Sequence, residues 1–269
     1  MWGLGLTAAL AFPVTAAASP DSELVSIWGK SDESNPAVVD HTLWQQLIDA
    51  HLKADDPSGI HRFDYAGLKG SPEHRGQLTA YLRGLARTDP RTLARAEQMA
   101  YWINLYNALT VFVVVGRYPV DSIKQIKTSL LKFGPWGLEL ITLQGMKLTL
   151  DQIEHGILRP LWKDPRIHYA VNCASLGCPN LAPEVYRSDN LERLLEQGAR
   201  EYVNHPRGAQ VKEGELWVSS IYDWYISDFG GTDSGVLQHL KRYARPELAE
   251  TLNRFSRFED TYDWSLNRP

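Results

Sequence analysis

Apolar residues recur at helical spacing through the first half of the chain. Leu43, Leu47 and Ile48, with His51, fall on one face of a helix that the run Asp55-Asp56-Pro57-Ser58-Gly59 ends. Leu78, Leu82 and Leu85 mark another after Ser71-Pro72, and Asp89-Pro90 opens a third. From 99 to 115 the chain is almost continuously apolar, but Glu97 precedes the run and Asn104 and Asn107 interrupt it. That pattern predicts a helix buried on most sides rather than a membrane span. Beyond Gly116 the texture changes. Residues 140–150 read as a hairpin around Gln144-Gly145, and residues 209–219 as a second around Glu213-Gly214. Between them, Asp151 is expected to cap a helix carrying Glu154, His155 and Arg159, and 190–203 reads as a further helix. Ser219 or Ser220 is expected to cap a helix holding Tyr222, Trp224 and Tyr225, aromatics that suit a core better than a ligand platform. Ile167, Tyr169 and Val171 alternate with His168, Ala170 and Asn172, which predicts a strand ending at Cys173. Strands and helices do not alternate as in a doubly wound sheet. The expected fold is α+β, a helical lobe with a long buried helix packed on a small antiparallel sheet. Residues 40–269 are expected to form one domain behind an extended lead-in, 19–39.

In the buried helix, Glu97 and Asn104 lie on one face two turns apart, with Asn107 about 60° to one side. A buried amide left unpaired costs ~1–3 kcal/mol. These side chains therefore either bond to backbone in neighbouring loops or line a site, where they would orient a histidine or a substrate amide.

The chemistry concentrates in Arg166-Ile-His-Tyr-Ala-Val-Asn-Cys-Ala-Ser-Leu-Gly-Cys-Pro-Asn180, which holds both cysteines of the chain. Three readings stand. In the first, Cys173 and Cys178, close across a glycine-containing turn, form a disulfide whose small ring would stabilise by only ~2 kcal/mol. In the second, Cys173 is the nucleophile of a thiol acyl-transfer or amide-hydrolysing enzyme. His155 then shuttles the proton, because in a regular strand His168 would face away from Cys173, and Glu97 or Asn104 orients the histidine. The N–H groups of Ala174 and Ser175 would meet the developing oxyanion, helped by Asn172 or Asn104, while Asn107, Arg159, His168, Asn172 and Ser175 would contact substrate. The third reading is zinc held by Cys173, Cys178, His168 and His155, or thiol redox chemistry, but the spacing of the cysteines fits neither well. No metal or other cofactor is expected. Nor is there a glycine-rich phosphate loop, a Gly-x-Ser-x-Gly or a His-Glu-x-x-His sequence, which argues against nucleotide-dependent, serine-hydrolase and zincin chemistry.

Residues 1–18 carry no charged side chain and end on Ala16-Ala17-Ala18 before Ser19-Pro20, which reads as a secretory leader and places the mature protein in the periplasm or outside the cell. The apolar part of the leader is too short for a stable span. The formal charge of −4 comes from 28 basic and 32 acidic residues without a Lys or Arg run, so a nucleic-acid partner is not expected. The expected partner is a small-molecule or peptide-like ligand. A non-catalytic periplasmic binding protein with paired cysteines is the competing class.

The cysteine segment, together with Tyr101-Trp-Ile-Asn-Leu-Tyr-Asn-Ala108 and Ile153-Glu-His-Gly-Ile-Leu-Arg159, closely resembles the family called domain of unknown function 547. The resemblance runs over roughly residues 97–230 and has three segments in the right order. It implies a set of related positions rather than an activity. A helical lobe joined to an antiparallel sheet is also distantly papain-like or transglutaminase-like, although in those folds the nucleophile heads the central helix, and here that helix carries none.

Overall fold

The long apolar run folds as the axis of the protein. The computed structural model describes residues 20–126 and 134–269, and the stretch read as a leader lies outside them. In chain order the elements are α1 (Pro20–Trp28), α2 (Thr42–His51), β1 (Leu52–Lys53), β2 (Arg62–Phe63), α3 (Tyr65–Gly70), α4 (Pro72–Arg87), α5 (Arg95–Arg117), β3 (Ile141–Leu143) and β4 (Met146–Leu148). A π-helical segment, Gln152–Leu158, then runs into α6 (Arg159–Trp162). After it come α7 (Ile167–Ala170), α8 (Leu191–Val203), β5 (Ala209–Lys212), β6 (Glu215–Ser219), α9 (Ile221–Trp224), α10 (Asp233–Tyr243), α11 (Pro246–Leu252) and β7 (Glu259–Thr261). The class is α+β.

Every residue of α5 from Glu97 to Val111 is buried. By length and composition this helix could cross a membrane, but 89% of its apolar window lies inside the protein. Its main packing partners are α3, α4 and the π segment, so helices wrap it. The three sheets are small. Both predicted hairpins form, each through a two-residue turn with positive φ at both positions: Gln144 (48°) and Gly145 (81°), Glu213 (54°) and Gly214 (84°). This is the turn whose twist suits a right-twisted hairpin. Strand β7 then returns beside β6 in parallel, which brings Tyr262 and Trp264 against Trp224 at the end of α9.

Three local expectations are corrected. The lead-in is not extended throughout, because α1 docks through Leu24 and Trp28, both buried. Trp28 meets the edge of Trp102 at 5.3 Å, and a Cβ on Gly156 would approach Leu24 Cδ1 to 2.5 Å, so that glycine makes room for the helix. One apolar pair in a polar segment is too short a periodic signal to predict such docking. The second correction concerns the helix start near Asp151. There the reciprocal bonds come from Thr149 and Gln152, each side chain accepting from the other's backbone N–H, at 3.0 and 3.1 Å. Third, residues 167–170 are helical, not a strand. All of Ile167 to Asn172 are buried, so polar and apolar alternation carries no facing information there.

The buried His41 and the half-buried His239 set an acid limit on stability. Burial, the largest influence, pushes His41 and His239 down to about 4 from the ordinary 6.5. His41 contacts the Tyr81 hydroxyl at 2.6 Å and His239 the Tyr169 hydroxyl at 2.7 Å. Both are neutral in the fold and take up protons more readily when unfolded. Their contribution is fully present above pH 6.5 and is lost as pH falls towards 4. At ~1.36 kcal/mol per pH unit the loss reaches ~3 kcal/mol for each. Urea unfolding at pH 7, 5.5 and 4 is expected to show it, and His239→Phe should flatten the slope.

Candidate active site around Cys173

The loop carrying the cysteines is clamped from α5. Asn107 Nδ2 donates to the Ala170 carbonyl at 2.9 Å, and its Oδ1 accepts from the Asn172 N–H at 2.8 Å. Asn172 continues the brace, donating to the Pro179 carbonyl at 2.7 Å and accepting from the Ala174 N–H at 2.9 Å. That last bond accompanies a left-handed Ala174, φ 61°, a conformation that costs a non-glycine residue ~1 kcal/mol. The far side of the loop is stitched to the chain after β7. Leu176 N–H donates to the Ser265 carbonyl and Gly177 N–H to that of Asp263, each at 2.8 Å. A Cβ on Gly177 would lie 2.9 Å from the Asp263 nitrogen, so only glycine permits this approach.

Both cysteines are free thiols, which corrects the expected disulfide. Cys173 N–H donates to Cys178 Sγ at 2.8 Å, and Cys173 Sγ meets Ser175 Oγ at 3.2 Å and Tyr262 Oη at 3.0 Å. Ser175 and Tyr262 also contact each other at 3.0 Å, closing a triangle. Burial pushes the Cys173 thiol up, but donation from Cys178, Ser175 and Tyr262 outweighs it, and the thiol ends below its ordinary value. Cys178 is driven well above its own by burial and by the neighbouring Cys173. The pair is therefore polarised, with one sulfur disposed to carry charge and the other to donate.

The thiol sits in a cavity of about 70 Å³. Tyr106, Trp136, Trp224, Tyr225, Tyr262 and Trp264 line it, and Glu154 and His168 add ionisable groups. His168 Nε2 lies 2.8 Å from Asp228 Oδ2, and Nδ1 lies 3.8 Å from Glu154 Oε1. Asp228 is in turn held by Arg159 through two bonds, at 2.6 and 3.0 Å. Burial would raise the Asp228 carboxyl, yet the bonds from His168 and Arg159 hold it far below the usual carboxylate range. The Tyr225 ring stacks on His168 at 4.4 Å, and the Arg159 guanidinium lies 4.6 Å from the same ring. The imidazole is thus fixed in plane and at one nitrogen.

The predicted site residues separate into three groups. Cys173 and His168 line the cavity, and Ser175 contacts the Cys173 sulfur. His155 does not line it: its Nδ1 contacts Arg159 at 3.1 Å in a neighbouring open cleft shared with Lys163 and Asp228. Arg159 acts through Asp228. Glu97, Asn104, Asn107 and Asn172 spend their polar atoms on the fold. Glu97 accepts from the N–H groups of Val39 and Ser188, and Asn104 exchanges two bonds with the Tyr186 backbone. The Ala174 N–H, expected at an oxyanion, is committed to Asn172. Among the described residues no group of three or more His, Cys, Asp or Glu is arranged to hold a metal ion. Sequence reasoning missed Tyr106, Asp228, Tyr262 and Trp264, and it assigned Trp224 and Tyr225 to the core. The one local signal was the aromatic run Tyr262-Asp-Trp264, whose placement depends on the parallel return of β7.

Residues 90–203 match a family described as protein of unknown function, DUF547. Within those bounds the chain carries a DUF547 segment. The matched segment carries the Asn107 clamp, Glu154, His168 and both cysteines, but it stops short of Tyr225, Asp228, Tyr262 and Trp264. The cavity is therefore completed by residues beyond the DUF547 segment. No curated protein and no solved structure matches the chain.

Proposed function

We propose that this protein is a cysteine-dependent acyl-transfer or amide-hydrolysing enzyme with Cys173 as nucleophile. The observation that carries the reading is one thiol receiving hydrogen bonds from Cys178, Ser175 and Tyr262 in a small cavity that also contains a histidine backed by a carboxylate. In this reading His168, rather than His155, serves the proton, since it lines the cavity and Asp228 fixes its far nitrogen. The Cys173 sulfur attacks the substrate carbonyl, forming a C–S bond and an oxyanion. Collapse breaks the C–N bond, and the amine leaves with a proton from the His168–Glu154 pair. Water then adds to the thioester, its hydroxyl going to the acyl carbon and its proton restoring that pair. Once sulfur is acylated, the Ser175 and Tyr262 hydroxyls lose their acceptor and become available to the oxyanion.

The commitment of the Ala174 N–H favours one alternative, a binding site without turnover. Iodoacetamide labelling with mass spectrometry tests the enzyme reading first. Cys173 is expected to label at neutral pH well ahead of Cys178 and faster than a small-molecule thiol at the same pH. Labelling no faster than that reference thiol would sink the proposal. If Cys173→Ser retains ligand affinity and the native protein turns nothing over, the binding alternative replaces it.

A further inference from the structure

The cavity has a charge preference that its reactive thiol does not explain. Glu154 is buried, with only 8% of its side chain exposed; the neutral Tyr106 hydroxyl hydrogen-bonds it, but its ion-pair partners among the described residues are two histidines, His168 at 3.8 Å and His155 at 3.9 Å. Both distances exceed a hydrogen bond. The Arg159 guanidinium is committed to Asp228 through two bonds and to His155 through a third contact. Among the described residues no Lys or Arg lines the cavity. A buried carboxylate without a strong cationic partner is costly, and a cation arriving from solvent would relieve that cost.

The walls favour the same ligand. Six aromatic rings surround the space, and their faces carry the negative part of the ring quadrupole. Tyr262 and Trp264 lie 4.6 Å apart, and Trp224, 45% exposed, lies within 4.9 Å of Tyr262 and 5.5 Å of Trp264 at the mouth. This cluster already holds one ammonium, with Lys124 Nζ 4.5 Å from the Trp264 ring centre. The space, about 70 Å³, is small, which suits a short alkylammonium.

We infer that the cavity beside Cys173 binds the protonated primary amine of its substrate, with Glu154 facing the ammonium and Trp224, Tyr262 and Trp264 around its alkyl chain. The inference deepens the acyl-transfer reading by naming the substrate class, an acylated or acyl-accepting aliphatic amine, but the binding itself needs no chemistry at sulfur.

Ethylammonium is the probe, 1-propanol the neutral molecule of similar size and acetate the anion, with binding followed by tryptophan fluorescence on the full chain at pH 7. A three-heavy-atom ligand binds no tighter than a Kd of about 1 mM. Saturable binding of ethylammonium in the millimolar range is expected, at least ten-fold tighter than 1-propanol, with none for acetate. Glu154→Gln should remove the preference. Trp224→Ala, at an exposed position, should weaken ethylammonium at least three-fold while the urea midpoint of the protein stays put. Equal binding of the neutral and cationic probes, or no saturable binding of ethylammonium, overturns the inference. Such a result with Cys173 still labelling rapidly would leave the acyl-transfer reading in place. A slow Cys173 with ethylammonium still bound would do the reverse.

Discussion

Removing the two hydroxyls that face the Cys173 sulfur is expected to slow its alkylation at pH 7 by about 10- to 100-fold. Ser175 Oγ and Tyr262 Oη lie 3.2 and 3.0 Å from Sγ, and donation from both helps hold the thiol below its ordinary value against the opposing effect of burial. A hydrogen bond to a charged group contributes about 1.5–3 kcal/mol, or about one to two pH units each. Losing both in Ser175→Ala/Tyr262→Phe therefore raises the thiol. The thiolate population at pH 7 falls ten-fold per unit. The surviving thiolate becomes roughly three-fold more nucleophilic per unit, so the net slowing is about three-fold per unit. The pH profile separates this from a structural accident. The rate should rise through a midpoint moved upward in the double variant, and at sufficiently high pH the variant should overtake the native protein. A profile with an unmoved midpoint and a uniformly lower rate would mean that the hydroxyls shape access to sulfur and not its charge.

The second large effect concerns the clamp beneath the loop. Asn107→Leu, similar in size and still apolar enough for the helix, should destabilise the protein by about 2–6 kcal/mol. It leaves the Ala170 carbonyl and the Asn172 N–H unpaired in a buried position, at about 1–3 kcal/mol each. Set against a typical domain stability of about 5–15 kcal/mol, that is a large fraction. The midpoint of urea unfolding measures the loss directly. The same variant should make Cys178 alkylate in mild urea where the native protein protects it, because the loop that buries Cys178 hangs from this amide. A loss below about 1 kcal/mol would show that water or a shifted loop replaces the amide, and the clamp would lose its importance.

The pH limit set by His41 and His239 and the charge selectivity of the cavity are independent of these two effects. Neither histidine lines the cavity. Acid destabilisation at pH 4–6.5 therefore reports on the core, while the alkylation profile reports on sulfur.

What could be read from the chain follows from periodicity and local chemistry. The apolar run interrupted by Glu97, Asn104 and Asn107 marked α5, and its length and polar inserts distinguished a core helix from a span. Both hairpins were legible because a two-residue turn needs residues that tolerate positive φ, and Gly145 and Gly214 sit where one is required. The segment around Cys173 was recognisable as the chemical centre from composition alone, since it holds both cysteines of the chain.

Facing and partnership were not legible. Residues 167–170 sit at the seam between two buried clusters, one around α5 and one around α8 and α10, and a segment buried on every side loses the alternation that tells a strand from a helix. His168 was read as turned away from Cys173 on a strand that does not exist, and His155 was favoured in its place although tertiary packing sends it to another cleft. Asp228 and Tyr262 are 55 and 89 residues from Cys173, and their approach depends on how α9 and β7 pack. Sequence by itself determined the axis of the fold, the turns and the place of the thiol, because each follows from interactions within a few residues. Only the tertiary structure decided which hydroxyls, histidine and carboxylate meet that thiol, because those contacts are made between elements whose mutual placement is set by the burial of the whole core.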